Sequence, residues 1–241
     1  MENKAEQEWD AVLSAASRLQ GHIPEAVLVG GTASAIFAAH RISEDADHVL
    51  PDLREKFDDI LAMLESVAGW KLARVVKPVL ILGSLDGVDT GIRQLIRNDP
   101  LETKEVFIRG HKIVVPTEAE ILRIKGALIL KRNATRDYVD FAALAYSLGG
   151  AATAQAFGRF DDLYPQKNNQ SPVQQLCLQL SDPRPFDLQG KDLSVYKNLA
   201  EQWKTWDAVQ VQCNESAVII FNNIQTESFQ SKNINKRKRL R

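Results

Sequence analysis

Cysteine is scarce in this sequence. Two residues among 241, Cys177 and Cys213, stand far apart along the chain. They leave no disulfide framework and no closely spaced thiol pair for a metal, so both read as reduced thiols. A long apolar run is missing too. The longest nearly apolar stretch, residues 26–39, is broken by Gly-Gly and Thr-Ala-Ser and falls short of the about 20 residues a membrane span needs. The opening Met-Glu-Asn-Lys-Ala-Glu-Gln-Glu is polar and acidic and lacks the plan of a secretion signal. A cytoplasmic protein with no membrane partner is the expectation. Charge of one sign is not in excess either: 30 Lys and Arg face 31 Asp and Glu, a net charge of −1. The chain is no polycation, so nucleic-acid contact would have to come from a local patch.

What is present is ordinary globular material, with 44% apolar and 25% charged residues and enough length for one large domain or two small ones. Trp9, Val12, Leu13, Ala16 and Leu19 recur at helical spacing, predicting an opening helix that Gly21 ends. A short strand follows over 26–29, then a small-residue helix over 32–40 and a second strand over 46–50. Phe57, Ile60, Leu61 and Leu64 mark an amphipathic helix over 53–67. Strands are predicted over 70–76, 79–82 and 90–96, and a hairpin around Arg109-Gly110.

The pattern changes at Pro116, where Thr117 and Glu120 form a capping-box signature ahead of a helical run. Helices to about Lys131 and from Thr135 to Leu148 are predicted, and a broken helical pattern beyond. The expected fold class is α/β (α+β): a mixed-sheet domain over 1–116, then a helical domain over 117–221. Trp203 and Trp206 read as core or rim of the latter. Residues 222–241, ending Lys-Arg-Lys-Arg-Leu-Arg, read as a disordered basic tail.

Chemistry concentrates between Gly30 and Asp47. Gly30-Gly31-Thr32 follows a strand and opens a helix, so its backbone N–H groups form a natural seat for phosphate. Asp45 and Asp47 alternate on a strand and share a face. Paired carboxylates there suit a hard divalent cation, Mg²⁺ or Mn²⁺. Thirteen residues, 32–44, separate Gly31 from Asp45, room for one helix and a return turn, so the two ends can meet. Phosphate seat plus carboxylates points to chemistry on a nucleoside triphosphate. The plainer reading is a tight turn and two surface acids. His40 and His111 read as packed or surface residues, and Arg93 with Arg97 as a solvated face.

The stretch Val29-Gly30-Gly31-Thr32-Ala33 through His40-Arg41-x-Ser43-x-Asp45-x-Asp47 resembles the nucleotidyltransferase superfamily of polymerase β type. More narrowly, it resembles the AbiEii-like toxin branch of type IV toxin–antitoxin systems. His48 departs from that pattern, where an apolar residue is usual. A second segment, Lys125 with Arg132-x-x-x-Arg136-Asp137-x-x-Asp140, resembles the branch's helical signature.

The resemblance implies that the glycine turn and Thr32 hold the triphosphate and that Asp45 and Asp47 hold metal. It also implies a third carboxylate that activates the attacking hydroxyl. Asp89 is the preferred candidate and Asp86 the other, although their glycine-rich surroundings read as a loop. Lys125 could reach the β- and γ-phosphates, and Arg132 and Arg136 offer forked donors for phosphate oxygens. Asp137 and Asp140 share a helix face, where tying two helices together is the plainer reading.

The implied activity moves a nucleoside monophosphate from an NTP to an acceptor hydroxyl. A tRNA 3′ end is the implied acceptor and a cognate antitoxin the implied protein partner. The alternatives are a small-molecule or protein hydroxyl as acceptor, or a degenerate, non-catalytic nucleotide- or RNA-binding module.

Overall fold

The computed structural model of the chain describes residues 4–167, 170–190, 192–194 and 196–239, without side-chain detail beyond residue 226. Two compact units emerge. The first holds residues 1–121 together with 195–200, the second residues 122–194 and 201–241.

The first unit opens with helix α1 (Lys4–His22), whose Val12, Leu13, Ala16 and Leu19 are buried as their spacing predicts. A two-residue strand β1 (Val27–Leu28) runs into helix α2 (Gly30–Ala38), which ends at Ala39 in the left-handed region. Strand β2 (Asp45–Leu50) and helix α3 (Phe57–Ser66) follow. Strands β3 (Trp70–Val76), β4 (Leu80–Leu85) and β5 (Val88–Gln94) form a meander.

These strands build a five-stranded sheet of order β1-β2-β5-β4-β3. All neighbours are antiparallel except β2 and β5, which run parallel. The meander doubles back through β3 and β4, and that return lays β5 against β2. Leu50, Ile81, Leu85 and Ile92 face a core that α1 also fills. A separate hairpin, β6 (Thr103–Ile108) and β7 (His111–Pro116), turns at Arg109-Gly110 as predicted. Both turn residues have positive φ, as the tight hairpin turn requires. The Gln20 amide pairs with both backbone groups of Val114 and fixes α1 to β7.

In the second unit, helices α4 (Glu118–Arg132, which begins in the first unit), α5 (Thr135–Leu148), α6 (Gly150–Ala156), α7 (Phe160–Leu163), α8 (Pro172–Ser181) and α9 (Trp206–Arg239) pack around aromatic side chains. Tyr138 meets Trp206 edge-on at 5.8 Å, and Phe157 and Phe160 stack tilted at 5.1 Å. Trp203 and Trp206 are both core residues. The two thiols are buried; burial pushes Cys177 up to about 11 and Cys213 higher still, so neither ionises at neutral pH. Helix α9 runs to Arg239 through most of the segment read from sequence as a disordered tail. That segment ends in a run of Lys and Arg, good helix formers. Residues 240–241 lie outside the described residues.

Candidate active site

Strand β2 alternates cleanly. Ala46, His48 and Leu50 are buried, while Asp45, Asp47 and Val49 are only partly covered on the opposite face. The buried His48 imidazole donates from Nδ1 to the Ala46 carbonyl at 2.9 Å. Burial lowers its pKa to about 4 against that bond, so it is neutral and fills the apolar slot of the resembled pattern.

The parallel pairing of β2 with β5 sets Asp45 directly beside Asp89 and Asp47 beside Gly91. Neighbouring strands lie about 4.8 Å apart, and registered residues project on the same side. Asp45, Asp47 and Asp89 therefore share one face of the sheet. Gly91 leaves space that Asp47 uses: a Cβ there would lie 2.7 Å from Asp47 Oδ1.

Asp86 has a different job. With Gly87 it makes the β4–β5 turn, both residues at positive φ, and it forms an ion pair with Arg18. That turn lets β5 begin at Val88, two residues earlier than the sequence pattern predicts, and puts Asp89 in a strand rather than a loop.

The glycine turn adjoins this face. The Val29 N–H donates to the Asp47 carbonyl at 2.8 Å. Gly30 has φ +74, a conformation that favours glycine, and a Cβ there would lie 3.6 Å from the Asp47 Cβ. Helix α2 starts there with no side-chain cap and no acidic residue in its first turn. Its first N–H groups are met by no side-chain cap, and this positive end of the helix dipole follows directly on the strand paired with β2. Thr32 is fully buried and donates to the Asp45 carbonyl at 2.5 Å, tying α2 to β2.

Two neighbours escaped the sequence reading as site residues. Ser43 donates to Asp45 Oδ1 at 2.7 Å. The Arg41 guanidinium lies over bare Gly31, where any Cβ would collide with it. The signal was available, since the alternation of Asp45 and Asp47 extends back to Ser43 and Arg41. Arg93, half exposed, stands 3.9 Å from Asp47 Oδ1. Arg97, read as part of a solvated face, is instead buried against Glu120 at 2.6 Å.

Three carboxylates on one face form a donor set that fits a hard divalent cation. As the side chains are oriented, no three His, Cys, Asp or Glu among the described residues close on a single point. Asp45 is turned to Ser43, and Asp47 lies near Arg93.

In the second unit, Lys125 Nζ donates to Asp140 at 2.6 Å and lies 3.8 Å from Asp137. Arg132 grips Asp137 with two donors at 2.5 and 2.7 Å. Lys125, Asp137 and Asp140 are sealed from solvent, and the cluster ties α4 to α5. Arg136 is exposed at the start of α5. Asp187 caps that helix end by accepting from the Thr135 N–H and hydroxyl at 2.7 Å. Burial pushes the Asp187 carboxyl up, but these bonds outweigh it and hold its pKa below the ordinary value.

No family model matches the sequence. A solved Helicobacter pylori protein assigned as a nucleotidyltransferase superimposes with a TM-score of 0.51 over 94% of this chain and 98% of that one, at 15% identity. The chain therefore has the fold of that nucleotidyltransferase. A solved structure of the antibiotic-resistance factor ANT(2″)-Ia superimposes with a TM-score of 0.48 over 64% of this chain and 93% of that one, at 12% identity. In sequence, 125 residues, 51% of the chain, are 34% identical to 12% of the heme uptake protein MmpL11 of Mycobacterium tuberculosis. The chain thus spans a small part of this curated relative. Among the described residues no helix is long and apolar enough to cross a membrane.

Proposed function

We propose that the protein is a metal-dependent nucleotidyltransferase that moves a nucleoside monophosphate from an NTP to an acceptor hydroxyl. The observation that carries this reading is the register of Asp45 beside Asp89, on the face that Asp47 and the Gly30-Gly31 turn adjoin. The shared fold supports it.

In this reading Asp45 and Asp47 hold Mg²⁺ or Mn²⁺, with Asp89 beside them. The cation, when bound, supplies neutralisation of phosphate charge. The N–H groups at the start of α2 seat the triphosphate, helped by the Arg41 guanidinium above Gly31. Ser43 and Thr32 orient the β2 edge through Asp45. Asp89 takes the proton of the acceptor hydroxyl. The acceptor oxygen bonds to the α-phosphorus, the α–β anhydride bond breaks, and pyrophosphate leaves with the electron pair. Positioning and electrostatics do most of the work.

Lys125, with Arg132, Asp137 and Asp140, is assigned to holding α4 on α5. The phosphate role implied for Lys125 would require its pairing with Asp140 to open. Resemblance to the AbiEii-like branch extends the proposal to a cytoplasmic toxin acting on a tRNA 3′ end and restrained by a cognate antitoxin.

The test is incubation with each α-labelled NTP, Mg²⁺ and total tRNA. Label in RNA supports the reading. Nucleotide binding with no label transferred to RNA, small molecules or protein overturns it in favour of a non-catalytic module.

A further inference from the structure

The loop between α2 and β2 carries two side chains of the candidate site but has no regular structure of its own. Residues 39–44 form neither helix nor strand. Yet this loop puts the Arg41 guanidinium over Gly31 and the Ser43 hydroxyl on Asp45. An irregular segment holds side chains in fixed places only when bonds from outside it supply the support. Here the support comes from far along the chain. Ala200 donates its backbone N–H to the His40 carbonyl at 2.7 Å, and His40 is sealed from solvent. The Lys197 ammonium pairs with the Glu44 carboxylate, 153 residues away in sequence. These two bonds grip the loop at both ends, one residue before Arg41 and one residue after Ser43. Between the two grips Leu199 is buried and Asn198 turns at φ +51. Residues 195–200 group with the first unit although their flanks group with the second. The flanks are joined to each other: the Leu193 N–H donates to the Lys204 carbonyl at 3.0 Å, and Asp192 bridges to Thr205. A loop closed at its base has less freedom to lose when its tip makes bonds.

We infer that residues 196–200 are a strap that positions the 39–44 loop, with Ala200 and Lys197 as positioning residues that set the places of Arg41 and Ser43. This rests on the nucleotidyltransferase reading and adds a support to its site. The two grips differ in weight. Lys197 and Glu44 are 65% and 56% exposed, and an exposed ion pair contributes little and is screened by salt. The Ala200 bond lies against a sealed residue, where the loss of a donor is costlier. Arg41 acts on the triphosphate and Ser43 on the Asp45 carboxylate, so a loosened strap lets both drift. Nucleotide binding suffers more than the chemical step, because Arg41 holds the triphosphate in ground state and transition state alike.

The experiment compares wild type, Lys197→Glu, Ala200→Pro, which has no N–H to donate, and the charge swap Glu44→Lys/Lys197→Glu. Hydrogen exchange of the amides of residues 40–44 is followed by mass spectrometry. Mn²⁺-dependent binding of a non-hydrolysable NTP is measured beside it, together with KM and kcat for label transfer. The inference predicts exchange at 40–44 faster by about threefold in Lys197→Glu and about tenfold in Ala200→Pro. Nucleotide affinity and KM worsen by similar factors, while kcat stays within about twofold of wild type. The swap brings every reading back to within about twofold of wild type. If Ala200→Pro unfolds throughout, Lys197→Glu and the swap decide on the same readings. Exchange at 40–44 equal in wild type and variants overturns the inference, as does faster exchange with nucleotide affinity intact. A wild type that binds no nucleotide refutes the nucleotidyltransferase reading instead, and the exchange series then decides whether the strap holds the loop.

Discussion

Two charged clusters compete for attention in this chain, and they differ in what surrounds them. On the sheet, Asp45, Asp47 and Asp89 share a partly covered face, with the Ser43 hydroxyl at Asp45 and Arg93 at 3.9 Å from Asp47. In the helices, Lys125, Asp137 and Asp140 are sealed, and their charges are met by one another and by Arg132. The first cluster gathers three carboxylates on one partly covered face, as a site that receives a cation would. The second is already neutralised. Buried charge without a partner is costly, so a sealed, paired cluster marks architecture, and like charges gathered at a partly covered surface mark chemistry.

The comparison sharpens first at Lys125. Lys125→Met takes from buried Asp140 the ammonium it accepts from at 2.6 Å, and the loss of stability in urea unfolding is expected at about 3–5 kcal/mol. Lys125→Met/Asp140→Leu removes both charges and is expected to recover most of it. A stable Lys125→Met protein that lost nucleotide binding would return Lys125 to the phosphates. At the sheet the opposite pattern is expected. Asp45→Asn or Asp47→Asn lowers label transfer by about 10²–10³ at an unchanged melting temperature.

The helical unit also carries an alkaline limit. Burial raises Tyr138 to about 12 from 10.0, while its hydroxyl donates to Asn133 at 2.6 Å. The unfolded chain gives up that proton near pH 10 and the folded chain keeps it. Stability is therefore full below pH 10 and falls by about 2–3 kcal/mol as pH rises toward 12. Tyr138→Phe should flatten this part of an unfolding series. The smallest effect is at Gly91. Gly91→Ala places a methyl 2.7 Å from Asp47 Oδ1, and a roughly tenfold fall in transfer, about 1.4 kcal/mol, is expected with folding kept.

Much of this was legible because local rules govern it. The Gly-Gly break, the alternation of β2 and the Arg109-Gly110 hairpin all follow from backbone preference and side-chain period. Asp89 was harder, because its glycine-rich flank reads as loop. Yet Asp86-Gly87 is the dipeptide a two-residue hairpin favours, and with that turn in place β5 begins at Val88. The pairing of β2 with β5 was out of reach, since strands separated by a helix and two others show no pattern of their register. The same limit hid the burial of Arg97 on Glu120 and the identity of Lys125's partner, Asp140, 23 and 15 residues away. Charge in a sequence reads as exposed until its counter-ion is known. Arg41 and Ser43 lay in plain sight, one alternation before the aspartates.

The central claim is that the acids of β2 grip a cation together with a nucleotide. Titration with Mn²⁺, followed by its paramagnetic resonance signal in the presence of a non-hydrolysable NTP, reads this directly. The account predicts nucleotide-dependent Mn²⁺ binding by wild type and its loss in Asp45→Asn/Asp47→Asn. Equal binding by both proteins would contradict it.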